Sequence, residues 1–212
     1  MSERRTADLN RDRITTTALR FLDEVGLEGM TMRRLASELD VKPPALYWHF
    51  RDKRQLLDHM ADTIVRSAGM GPPQEGEPWQ DWLLRRGREY RAALLRHRDG
   101  ARVVSTAHTL TPDTLTRFDE ELAALVAAGF SPSSALRTIT VLSQFVTGHV
   151  LQEQAERPED SAARALERQS PDDPLATLAA ALRDSGGTAG KNAFEHGLRV
   201  LVAGTAAVVD VA

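Results

Sequence analysis

The sequence contains no cysteine, which excludes a disulfide framework, a thiol nucleophile and a thiolate metal site, and fits a reducing compartment. Aromatic residues are scarce at 5%, while Ala and Leu are plentiful and runs of β-branched residues few, a balance that favours helix over sheet. Net positive charge is missing too. The formal charge is −3, so any nucleic-acid contact must come from a local patch rather than overall basicity. The longest apolar run near the end, Val200 to Val209, is about half the ~20 residues needed to cross a bilayer and reads as a buried helix, so no membrane partner is expected. The start, MSERRTADLNRDR, lacks the apolar stretch of a signal peptide, and the expected location is the cytoplasm.

What is present is helical periodicity. Ile14, Ala18, Phe21, Leu22 and Val25 predict a first helix, with Gly26 as its stop. Thr31 can cap a short second helix with Leu35, Ala36 and Leu39 inward, ending at Asp40 and Val41. Pro43 and Pro44 suit the first turn of a third, where the backbone needs no internal donors, and Ala45 to Phe50 complete it. Asp52 with Gln55 resembles a capping box opening a fourth helix to about Ala68. The Gly- and Pro-rich stretch GPPQEGE then marks a boundary between residues 1–68 and 69–212.

The second module also reads as helices only. Trp79, Leu83, Tyr90 and Leu94 mark one, with a shorter element at Ala101 to Thr106. Thr111 and Pro112 start a helix bearing Leu115, Phe118, Leu122 and Leu125 that Gly129 ends; Ser131 and Pro132 start a long one with Ile139, Leu142, Phe145, Val146 and Val150 inward. Arg157 to Asp173 reads as a mobile loop. Leu175, Leu178 and Leu182 form a helix stopped by Gly186 and Gly187, and Phe194, Leu198, Leu201 and Val202 belong to a last one. The expected fold class is all-α: an N-terminal helix-turn-helix unit and a C-terminal helical unit.

From Thr31 to Phe50 the helix lengths and the turn match a DNA-reading helix-turn-helix. Met30 to Arg54 carries an excess of three positive charges, enough to attract phosphate locally. Tyr47 and His49 can donate hydrogen bonds to phosphate oxygens, as can Lys53 in the first turn of the next helix, while Trp48 suits an apolar brace at the helix edge. Base reading falls to Arg33, which can grip guanine through two hydrogen bonds, and to Pro44 and Ala45, which can touch a thymine methyl. Thr31, Met32, Lys42 and Pro43 complete the candidate DNA-facing set. Residue chemistry alone leaves a protein-binding helix pair equally open.

The stretch GLEGMTMRRLASELDVKPPALYWHFRDKRQLLDHMA, Gly26 to Ala61, closely resembles the DNA-binding domain of the tetracycline-repressor family, including its Tyr-Trp-His signature and the following Lys. It departs at Asp40, where the family usually has Gly; Asp tolerates the left-handed conformation needed there. Glu77 to Val103 and Gly129 to Gln154 resemble the ligand-binding core of the tetracycline repressor, the family's namesake. The resemblance implies a homodimer joined through a four-helix bundle from the last two long helices. Gly148, Gly197, Ala203 and Gly204 would permit close helix approach there, or serve ordinary packing within one chain.

The resemblance also locates an effector pocket. At its positions this chain has Val104 for a metal-binding His, Arg86 for a drug-binding Asn, Tyr90 for a Phe, Gln144 for a His and Gln152 for a Glu. These differences argue against a magnesium–tetracycline chelate. They imply a different, partly apolar small molecule, with Arg86, Tyr90, Glu121, Gln144 and His149 as candidate polar contacts beside Val104, His108 and Gln152. Arg86, on a helix reading Arg85, Arg86, Arg88, equally suits a solvated face. The six histidines form no metal-ligand set, no nucleophile elbow is present, and neither an enzyme nor a cofactor is implied. The resulting expectation is a repressor that binds a palindromic operator in duplex DNA and is released when an effector displaces the fourth helix. A helical enzyme that kept its DNA module as a relic, and a protein-binding adaptor, are the competing readings.

Overall fold

The computed structural model describes residues 9–155, 175–185 and 190–209. These form ten helices and no strand: α1 Arg11–Gly29, α2 Met32–Glu38, α3 Pro43–Tyr47, α4 Lys53–Arg66, α5 Trp79–Leu95, α6 Gly100–Ser105, α7 Pro112–Ala127, α8 Pro132–Gln154, α9 Ala176–Ser185 and α10 Lys191–Val208. The loop expected at Arg157 to Asp173, the stop at Gly186 and Gly187, and the Leu182 side chain lie outside the described residues.

Several of these helices start on a side-chain oxygen, among them those at Thr31, Asp52 and Ser131 as expected and at Asn10 in addition. Asn10 accepts the Arg13 N–H at 2.8 Å, Asp52 accepts that of Gln55 at 2.8 Å, and Thr31 and Ser131 accept those of Arg34 and Ser134, both at 3.2 Å. Each such cap contributes about 1 kcal/mol. Gln55 returns a bond by accepting the Arg51 N–H at 2.7 Å. Gly26 kinks rather than ends α1: its φ of 70° and ψ of 171° are open essentially to glycine, and one further turn follows to Gly29. Asp40 takes a φ of 54° beyond α2, so the Val41 N–H reaches the Ala36 carbonyl at 2.9 Å and the Asp40 N–H that of Ser37 at 3.1 Å. This left-handed closure aims the chain into α3. Helix α3 ends at Tyr47, and a turn carries the chain on to Phe50; α4 stops at Arg66.

Ile14, Ala18 and Leu22 of α1, Leu35 and Ala36 of α2, Leu46 of α3, Phe50 and Met60 are fully buried, so α1 and α4 hold the two short helices that could not persist alone. In the second unit α5 lies against α8 and α10. Gly87 permits that approach, since a Cβ there would stand 2.7 Å from Leu198 Cδ1. Ile139, Leu142, Val146 and Val150 face inward on α8, as do Phe194, Leu198 and Val202 on α10. Phe145 is only partly buried and stacks on Phe194, ring centres 5.7 Å apart.

The run Val200 to Val209 is helical but not buried as a whole. Val200 is 57% exposed and Val208 79%, because a single α10 can turn only one stripe toward the core. Two carboxylates of α4 join the units. Asp58 accepts the His108 N–H at 3.0 Å and the Thr109 hydroxyl at 3.1 Å, and buried Asp62 accepts the Thr111 N–H at 2.9 Å and its hydroxyl at 3.0 Å. No helix among the described residues is long and apolar enough to cross a membrane.

Candidate nucleic-acid interface and effector site

Helix α3 sinks Leu46 into the core and turns its other side outward. Pro44 and Lys42 are exposed, Tyr47 is 51% exposed and Trp48 89%. The last value corrects the expectation that Trp48 braces the helix edge. A five-residue helix has no room to fold both Leu46 and Trp48 inward, so the indole projects into solvent. Pro43, Ala45 and His49 are half-buried.

At the start of α2 two adjacent arginines have separate fates. Arg34 donates from Nη1 to the Gly29 carbonyl at 2.6 Å and lies over the Phe21 ring, 5.2 Å from its centre. The Arg33 side chain is exposed and makes no hydrogen bond or ion pair among the described residues. Thr31 is exposed and its oxygen is used in capping. Met32 is 8% exposed, so its thioether belongs to the core and is withdrawn from any DNA-facing surface; the apolar side of α2 begins three residues earlier than expected. Lys53 is half-buried and donates from Nζ to the Leu27 carbonyl at 3.4 Å. Arg11, outside the expected DNA-facing set, donates to the His49 carbonyl at 3.1 Å and sits over the Phe50 ring.

The candidate effector residues fall into several places. Arg86, Tyr90 and Glu121 do meet. Arg86 is not on a solvated face: it is 4% exposed, and its Nε donates to Glu121 Oε1 at 2.7 Å while Nη1 reaches the Ala68 carbonyl at 3.3 Å. The same Glu121 oxygen accepts the Gly71 N–H at 3.1 Å, whereas Oε2 has no partner among the described residues. Tyr90 packs beneath the Arg86 guanidinium and shares a 3.1 Å hydrogen bond with Thr147; burial raises its pKa above the ordinary phenol value.

The remaining candidates lie apart from that trio. His149 belongs to a junction of α5, α8 and α10, with Nε2 3.2 Å from the Gly190 carbonyl and its ring against Phe145 and Phe194. Gln144 is exposed and borders an apolar groove of about 470 Å3 between α7 and α8, lined by Leu115, Phe118, Leu122, Leu136 and Ile139 with Asp119, Thr140 and Ser143. Val104 is half-buried, and His108 and Gln152 are exposed. Among the described residues no three His, Asp or Glu side chains are placed to hold a metal ion.

Two family models match the chain. One, described as bacterial regulatory proteins of the tetR family, covers residues 14–60, and one described as the tetracyclin repressor-like C-terminal domain covers residues 72–209. The tetracycline repressor protein class A from transposon 1721 of Escherichia coli is 38% identical over 194 residues, spanning 91% of this chain and 88% of that protein. A possible TetR family transcriptional regulator of Streptomyces coelicolor A3(2) superposes with a TM-score of 0.81 at 38% identity, covering 94% of this chain and all of the other. The Streptomyces coelicolor TetR family protein ActR, in complex with actinorhodin, superposes with a TM-score of 0.80 at 30% identity over 96% and 98% of the two chains.

Proposed function

Because this chain belongs to the tetracycline-repressor family of transcriptional regulators, we propose that it is a homodimeric repressor that binds a palindromic operator and is released by a small molecule. The observation that carries the DNA-binding part is the outward face of α3. Two large aromatic side chains, Tyr47 and Trp48, stand in solvent, and Arg33 of the preceding helix is exposed with no ion pair among the described residues, a surface that a folded monomer has no reason to keep bare. Arg33, Pro44 and Ala45 read base edges, while Tyr47, His49, Lys42 and Lys53 hold phosphates. Residues 1–68 act as the DNA-binding unit and 69–212 as the effector and dimerisation unit of a cytoplasmic, non-enzymatic protein.

Dimerisation is supported by the outer sides of α8 and α10. Val141 and Val200 are half or more exposed, and a Cβ at Gly148 or Gly204 would meet nothing within 4 Å. Gly197 differs, since a Cβ there would lie 2.6 Å from the Phe145 ring; its small size serves packing within the chain. In the dimer the two α3 helices would enter successive major grooves roughly 34 to 36 Å apart.

The effector reading rests on the groove between α7 and α8, whose apolar walls and polar margin at Asp119 and Gln144 suit a partly apolar molecule. Val104 at the position of the metal-binding His argues against a magnesium chelate. Movement of α7 would reach α4 through Asp58 and Asp62. A coupling of about 1 to 3 kcal/mol weakens operator binding roughly 5- to 150-fold. Footprinting tests the whole: a palindromic protected site, lost on adding the effector, is the expected result, and protection without two-fold symmetry or without salt dependence rejects it.

A further inference from the structure

Several arginines are matched with carboxylates: Arg85 with Glu77 and Glu89, Arg88 with Glu195, Arg91 with Glu153 and Arg102 with Glu28 and Asp99. Arg66 and Arg117 are not. Neither forms an ion pair among the described residues, and Arg117 makes only a 3.4 Å hydrogen bond from Nη1 to the Met70 carbonyl. Both line one cleft of about 440 Å3 where α1, α4 and α7 meet, together with Asp12, Thr16, Thr63 and Ser67.

The polar groups of this cleft are of two kinds. The guanidinium groups of Arg66 and Arg117 supply fixed positive charge and forked donors suited to a phosphoryl group. The hydroxyls of Thr63 and Ser67 already donate to the His59 and Ile64 carbonyls, at 2.9 and 2.8 Å, so toward the cleft their oxygens can only accept. The Asp12 carboxylate accepts as well. A ligand that satisfies both kinds carries a phosphoryl anion at one end and hydroxyl donors at the other. A DNA backbone phosphate is a poorer fit: Arg66 ends α4 and lies ~20 Å along it from Lys53, taking ~1.5 Å of rise per residue, and a backbone phosphate brings no hydroxyls.

We propose that this cleft is a second small-molecule site, separate from the α7–α8 groove, and that it binds a phosphate ester of a polyhydroxylated compound such as a sugar phosphate. Because α1, α4 and α7 each contribute a wall, occupancy ties the DNA-reading unit to the core. By linkage, operator binding and ester binding then alter each other by the same factor.

Titration calorimetry on the full chain at fixed ionic strength tests this, with glucose 6-phosphate and ribose 5-phosphate as probes and glucose and inorganic phosphate as controls. The expected result is saturable binding of at least one ester, one per chain, tighter than either control and weakened tenfold or more in both Arg66→Gln and Arg117→Gln. Binding of neither ester, binding no tighter than inorganic phosphate, or unchanged affinity in the two variants overturns the proposal. Operator binding measured without ester shows whether the variants are folded and reports on the regulator reading independently.

Discussion

The Arg86 guanidinium and the Glu121 carboxylate meet at 2.7 Å in the interior, with 5% and 0% of their side chains exposed. Deleting one member strands the other in a medium that solvates charge poorly. Glu121→Ala should therefore cost about 3 to 5 kcal/mol of stability. The double variant Arg86→Met, Glu121→Leu, which removes both charges and keeps volume, should cost far less. Urea unfolding measures both; a double variant as unstable as the single would show that the charges are not the source of the loss.

Trp48 supplies the opposite case. At 89% exposure it contributes little to the fold, so Trp48→Ala should change stability by within about 0.5 kcal/mol while weakening operator binding. Thermal unfolding beside a gel-shift titration separates the two effects, and unaltered operator affinity would remove Trp48 from the interface.

Arg33 and Lys53 should fail differently when truncated. Arg33→Ala should cost about 1 to 3 kcal/mol and relax preference at one base pair, whereas Lys53→Ala should weaken all sequences alike and lower the salt slope by about one. Site selection against a randomised operator distinguishes these outcomes, and unchanged base preference in the Arg33 variant would move base reading elsewhere.

Val200 leaves 57% of its surface exposed on the outer side of α10. Placing a carboxylate there, Val200→Asp, should leave the monomer folded and abolish dimerisation, with operator binding falling alongside. Sedimentation analysis gives the answer; a dimer of undiminished stability would place the interface on another face.

Acid sensitivity should centre on the segment before α5. Arg85 grips Glu77 with two hydrogen bonds, at 2.8 and 2.7 Å, and holds its carboxyl at about 2 instead of the ordinary 4.5. Since the folded protein binds this proton more weakly, the pairing stabilises fully above pH about 4.5, and its contribution fades as pH falls toward 2. Glu77→Gln should flatten that part of the stability profile, visible in denaturation midpoints across the acid range.

The DNA-reading unit was legible in the sequence because its determinants are local. Thr31, Asp40, Pro43 and Asp52 fix starts and turns through neighbours a few residues away, and the periodicity of Ile14 to Leu22 identifies the buried face. Met32 belongs to the same local pattern: it precedes Leu35, Ala36 and Leu39 by three, four and seven residues, the spacing of one buried helix face, and that periodicity outweighs its place beside the DNA-facing Thr31 and Arg33. The second unit was legible only in its helices. Glu121 lies 35 residues from Arg86, and Asp62 lies 49 from Thr111; pairings over such separations leave no trace in spacing. Three adjacent-looking arginines at 85, 86 and 88 therefore resembled one solvated stripe, although helical rotation sends them to three different carboxylates.

Gly26 and Asp99 bear on how the molecule comes apart. By leaving helical geometry, Gly26 frees the Leu27 N–H, which Asp99 accepts at 2.8 Å from the second unit, while Arg102 reaches Glu28 and Asp23 accepts the Arg98 N–H. The last turn of α1 is thus capped by a residue seventy-two positions away. Melting either unit uncovers a helix end in the other, so the two sequence-distinct units should unfold in one cooperative transition rather than as independent domains.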